Sequence, residues 1–82
     1  MNTIQMAAKI YEARDQVKAM WPDRWREVIK GATDHIRTIM KRDSCDEVKA
    51  TLTIAKVLRD TNDLYSLTFY LAACCEMCEP TP

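Results

Sequence analysis

Apolar residues recur at alternating spacings of four and three along most of the chain, and this rhythm leaves few folds open. Met6, Ile10, Ala13, Val17 and Met20 fall on one stripe of a helix running from about Thr3 to Met20. Asn2 with Gln5 three residues later reads as an N-cap and its box partner. Lys9, Glu12, Asp15 and Lys18 fall mostly on the other side. Trp21-Pro22-Asp23 then interrupts the pattern. Proline disfavours helical geometry in the residue before it and suits the first turn of a new helix. A second helix is therefore expected from Pro22 to about Arg42, with Trp25, Val28, Ile29, Ala32, Ile36, Ile39 and Met40 as a wide apolar face. Gly31, the only glycine, sits within it.

Ser44 and Glu47 form a capping-box pattern ahead of a third apolar run. That pattern predicts a helix from Cys45 to about Asp60, with Val48, Leu52, Ala55 and Leu58 lining one side and Ile54 and Val57 widening it. The polar cluster Asp60-Thr61-Asn62-Asp63 marks the next turn. A fourth helix follows from Asn62 to about Cys78. Leu64, Leu67, Thr68, Leu71, Cys74, Cys75 and Cys78 form one face; Tyr65, Phe69, Ala72 and Ala73 lie largely opposite. No charge occurs between Leu64 and Cys75, and a helix apolar nearly all round is expected to be buried on several sides. The fold class that follows is all-α: one compact bundle of four short helices, mostly antiparallel, with the fourth most buried. The domain is expected to span 1–79, with 80–82 as a disordered tail.

An 82-residue chain has room for one core only, and a small one. Lys plus Arg equals Asp plus Glu at 12 each, which removes any general cationic attraction to nucleic acid. The charge is nevertheless uneven: residues 1–42 carry nine basic against five acidic side chains, and residues 43–82 three against seven. The first twenty residues contain no uninterrupted apolar run, so no signal peptide is expected. No stretch reaches ~18 apolar residues, so no membrane span is expected either. A cytoplasmic location with reduced thiols is the corresponding expectation for the four cysteines.

Three groups of residues could carry function. Cys75-Glu76-Met77-Cys78 has the C-x-x-C spacing of zinc and redox sites, with Cys74, Cys45 or His35 as candidate further ligands. Its place at a helix C-terminus opposes thiolate formation, because the helix dipole is negative there. A zinc-stabilised domain on Cys75 and Cys78 is therefore an alternative, and the main reading has no cofactor. Arg26, Lys30, Arg37 and Lys41 share an outer stripe of helix two and offer a second alternative, a nucleic-acid-associated regulator. Asp34 lies within that stripe, and no Asn or Gln stands beside it to read bases. The third group is aromatic. Trp21 and Trp25 flank Pro22, Arg24 and Arg26 flank Trp25, and Tyr65, Phe69 and Tyr70 give helix four a second apolar side. Trp, Tyr and Arg dominate interface hot spots.

His35 has no accompanying nucleophile, and there is no Gly-rich phosphate loop, G-x-S-x-G or H-E-x-x-H. The expectation is thus a non-enzymatic interaction module, a small inhibitor or regulator docking on a larger protein through Trp21, Arg24, Arg26, Tyr65, Phe69 and Tyr70. A homodimer on the surplus side of helix four is the further expectation. In size and style the chain resembles small helical accessory proteins of phages and mobile elements, including protein inhibitors of host defence. That resemblance implies an interaction role and no particular residue.

Overall fold

The structure, a computed structural model, describes residues 3–81, with the side chains of Thr3, Ile4 and Met6 outside the description. Asn2, and with it the expected first cap, lies outside the described residues, as does the side chain of Met6. Four helices follow one another: α1 Thr3–Met20, α2 Trp25–Asp43, α3 Glu47–Asp60 and α4 Leu64–Cys78. α4 is the central element. α1 packs on it from one side and α2 and α3 from the other, whereas α1 hardly touches α2. α4 runs antiparallel to α1, because Trp21 meets Phe69 near one end and Arg14 meets Glu76 near the other. It runs antiparallel to α3 as well, with Cys74 beside Glu47 and Tyr70 beside Val57 and Leu58. The Cα radius of gyration, 11.7 Å, is what a close-packed chain of this length requires. Among the described residues no helix is long and apolar enough to cross a membrane.

The helix boundaries show which local signals won. α2 begins at Trp25, not at Pro22. The chain first makes a turn in which Arg24 N–H bonds the Trp21 carbonyl (3.1 Å), and Arg24 itself is not helical. Ser44 does not cap α3. It adopts a left-handed conformation (φ 51°) that closes α2, with Cys45 N–H reaching back to the Met40 carbonyl. Asp46 takes the cap, accepting from Lys49 N–H at 2.8 Å. Asn62 is the second left-handed residue (φ 57°), and Asp63 caps α4 by accepting from Ser66 N–H.

The core is drawn from Ile10, Ala13 and Val17 of α1, from Trp25, Ile29, Ala32, Ile36 and Ile39 of α2, and from α3 and α4. Two expectations about it are corrected. Met20, the last residue of α1, leaves the stripe and lies 56% exposed. α3 buries Ile54 and Ala55 as expected and adds Ala50 and Thr51, while Leu52 and Val57 of the expected face are exposed and Val48 and Leu58 are only partly buried against the core. The small residues on that face let α3 approach closely enough for the Cys74 thiol to lie 3.8 Å from the Glu47 carbonyl. The Thr51 hydroxyl is fully buried and donates to the same carbonyl at 2.7 Å, so its burial leaves no polar group unpaired. On α4, Leu71 through Cys75 are all buried, so this half of the helix is enclosed on every side within one chain.

A polar network ties the C-terminal residues back to the bundle. Glu76, the first charge after the apolar run of α4, accepts from Thr81 N–H (3.0 Å) and from the Thr81 hydroxyl (2.9 Å). Arg14 reaches Glu76 at 3.4 Å, and Arg26 reaches it at 3.8 Å. Arg14 also donates to the Glu79 carbonyl at 2.6 Å, and Arg26 to the Thr81 carbonyl at 2.8 Å. In the stretch expected as a free tail, Thr81 is thus held by four hydrogen-bonding contacts, while Pro82 lies outside the described residues. Glu76 joins α1, α2 and α4, which compensates for the sparse packing between α1 and α2.

Candidate interaction surface

The end of the bundle where α1 stops and α4 starts is apolar and uncovered. α1 runs up to Met20, and Trp21 N–H still bonds the Val17 carbonyl (2.9 Å) before Pro22 turns the chain away. This leaves the Trp21 ring at the corner. α4 begins at Leu64 under its Asp63 cap, and the antiparallel packing sets its first turns beside Trp21. The Phe69 ring lies 5.7 Å from Trp21 and 4.8 Å from Tyr65, the latter edge-to-face. Tyr65 is 66% exposed and Leu64 58%. Tyr65 and Met20 border a shallow groove of about 110 Å³ that Gln16, Val17, Trp21, Thr68 and Phe69 also line, and Leu64 stands next to Tyr65 in the chain. Three of the six exposed large apolar residues among the described residues, Met20, Leu64 and Tyr65, therefore belong to this end of the molecule, which makes it a concentrated patch rather than scattered surface carbon.

The six residues expected to form one docking surface do not all meet. Trp21, Tyr65 and Phe69 come together as described. Arg24 is solvated and pairs only with Glu27 at 3.6 Å. Arg26 lies over the face of the buried Trp25 (4.8 Å to the centroid) and holds Thr81, so it is part of the C-terminal network. Tyr70 faces a different side of α4 and bonds His35, its hydroxyl 2.6 Å from Nδ1. Met20 and Leu64, which sequence periodicity placed with the core, belong to the patch instead. Each is the terminal residue of its helix, where burial by a neighbouring helix runs out.

The basic stripe of α2 is largely neutralised. Asp34 bonds Lys30 at 2.8 Å and pairs with Arg37 at 3.6 Å. The hydrogen bond from Lys30 holds the Asp34 carboxyl below its ordinary range, so the acid stays charged between the two cations. With Arg26 engaged by Glu76, Lys41 alone of the four expected nucleic-acid contacts makes no ion pair among the described residues.

The cysteines separate by side. Cys75 is buried next to Arg14, whereas Cys78 sits at the end of α4 with its thiol donating to Glu47 Oε1 (3.6 Å). The thiol neighbour of Cys78 is Cys74, one turn back, rather than its C-x-x-C partner Cys75. Among the described residues no group of three or more His, Cys, Asp or Glu is arranged to hold a metal ion, and neither Cys45 nor His35 joins the pair. Burial pushes the Cys74 and Cys75 thiols up. Withdrawal from water, then the Cys74 thiol and the Glu47 carboxylate, push Cys78 up to about 12. A thiol pushed up in this way is a weaker nucleophile.

Iodoacetamide near pH ~8 is accordingly expected to leave Cys74 and Cys75 of the folded chain intact and to alkylate Cys78 far more slowly than in urea. Equal rates in the two states would contradict the assignment. Because the folded thiol holds its proton longer than an unfolded one, its contribution to stability is complete below the ordinary thiol range. That contribution is lost as pH rises from there toward about 12.

No protein-family model, curated protein or solved structure matches this chain.

Proposed function

We propose that this chain is a non-enzymatic interaction module, a small inhibitor or regulator that docks on a larger protein through Met20, Trp21, Leu64, Tyr65 and Phe69. The observation that carries this reading is the edge-to-face Tyr65–Phe69 pair, continued by Trp21, in which Phe69 and Trp21 are half-buried against the core and the Tyr65 ring is exposed at one end of the bundle. Desolvating such rings is what makes an interface hot spot. The size of the patch argues for a larger partner. Its exposed carbon amounts to roughly a few hundred Å². A standard interface needs about 800 Å² from each side. Two copies meeting end to end fall short of that, whereas a larger protein with an apolar pocket can take Tyr65 and Leu64 and close over the polar flanks of α1 and α4.

Tyr65→Ala is expected to change folding stability by less than ~0.5 kcal/mol, since the side chain is mostly in water. It is expected to weaken partner binding by about 2 kcal/mol, near thirtyfold. Trp21→Ala is expected to lose both some stability and some binding, because its ring also packs on Phe69. Helicity by circular dichroism and affinity for the captured partner separate the two effects. Undiminished affinity in both Tyr65→Ala and Leu64→Asp would remove this surface from the account.

A further inference from the structure

On a different side of α4 from the apolar patch, α2 and α3 diverge around a cleft of about 250 Å³ closed at the back by Tyr70. Its floor is apolar, built on Ile39 and Ile54, with the exposed Val57 as one lip. Its polar groups are His35, Arg42, Tyr70 and Thr53, whose hydroxyl donates to the Lys49 carbonyl (3.1 Å), and no acidic side chain lines it among the described residues.

Two of these groups are held in place. The Tyr70 hydroxyl lies 2.6 Å from His35 Nδ1, with the rings edge-to-face at 5.5 Å. A hydroxyl that donates to Nδ1 leaves the ring proton on Nε2. Arg42 is fixed by Asp43 through Nε (2.9 Å) and Nη2 (3.1 Å), a fork that leaves its Nη1 edge without a partner among the described residues. An apolar floor with convergent polar groups is the usual form of a small-molecule site, and such sites ordinarily run from about 300 Å³ upward. The occupant must therefore be small.

We propose that this cleft binds a small organic acid, with a ring or a short branched chain on Ile39, Ile54 and Val57 and its carboxylate at the Nη1 edge of Arg42 beside His35. The apolar patch lies on a different side of α4 and shares no lining residue with the cleft, so the two sites are separate.

The test is a titration of the ¹⁵N-labelled full chain with phenylacetate and, separately, with its neutral isostere phenylacetamide. Phenylacetate is expected to give saturable shifts confined to residues 35–42, 53–58 and 70. The amide is expected to bind about tenfold more weakly, the worth of one charge-assisted hydrogen bond. Arg42→Gln should bring phenylacetate to the level of the amide. Val57→Glu, at a solvent-exposed lip, should abolish binding with helicity unchanged. Shifts that fail to saturate, shifts spread outside the cleft, or equal affinity for acid and amide would each overturn the proposal.

Discussion

Glu76→Ala is expected to destabilise the folded chain by about 3 kcal/mol, read as a lower urea midpoint at unchanged slope. The side chains of Arg14 and Glu76 retain only 15% and 17% of their exposure. Removing the carboxylate leaves a guanidinium largely out of water, its Nε already without a hydrogen-bond partner in the described structure. Thr81 loses both of its donor bonds at the same stroke. Arg26 adds less, because its own side chain is more than half exposed and its pairing with Glu76 is screened. Glu76→Gln keeps the shape and the acceptor oxygen and is expected to lose distinctly less. A loss below ~1 kcal/mol in Glu76→Ala would reduce the network to an ordinary surface ion pair.

Ile36→Ala is expected to cost a similar amount, about 3 kcal/mol, by a different mechanism. Ile36 is fully buried at the middle of the α2 face, enclosed by helices that cannot collapse independently onto the space it leaves. The loss combines the transfer energy of the removed carbons with an unfilled cavity. Val57→Ala serves as the control. It removes an aliphatic side chain that is 59% exposed, and less than ~0.5 kcal/mol is expected. Equal effects at the two positions would place the core elsewhere than on Ile36.

Much of this architecture was legible in the residues. The four-and-three spacing marks α1 with its observed ends, and the uncharged run from Leu64 to Cys75 marks α4 as the central helix. The misread features share a cause: the competing signals were local, and tertiary geometry chose between them. Ser44 fits both an N-cap and a left-handed close of the preceding helix, and the unpaired carbonyls at the end of α2 claimed it. On α3 the larger side chains pointed to one face, but close approach to Cys74 favoured the face with Ala50 and Thr51.

The candidate surface was only half visible. Tyr65 and Phe69, one helical turn apart, share a face; Tyr70, a further ~100° round, does not. Periodicity alone separates them. That Trp21 meets them depends on the antiparallel packing of α1 on α4, which no local pattern states. The Glu76 network was missed because its members lie 62 and 50 residues apart in the chain. The available signal was the abrupt return of charge at Glu76 after twelve uncharged residues.

The docking reading is tested most directly by photocrosslinking in extracts of the native cells, with benzoylphenylalanine at position 16. Gln16 lines the exposed groove yet leaves Met20, Trp21 and Tyr65 intact. One discrete adduct with a larger protein is expected, lost when Leu64→Asp is added and absent when the probe stands at position 30 on the outer face of α2. No adduct, adducts alike from both positions, or an adduct only with a second copy of the chain would contradict docking on a larger protein.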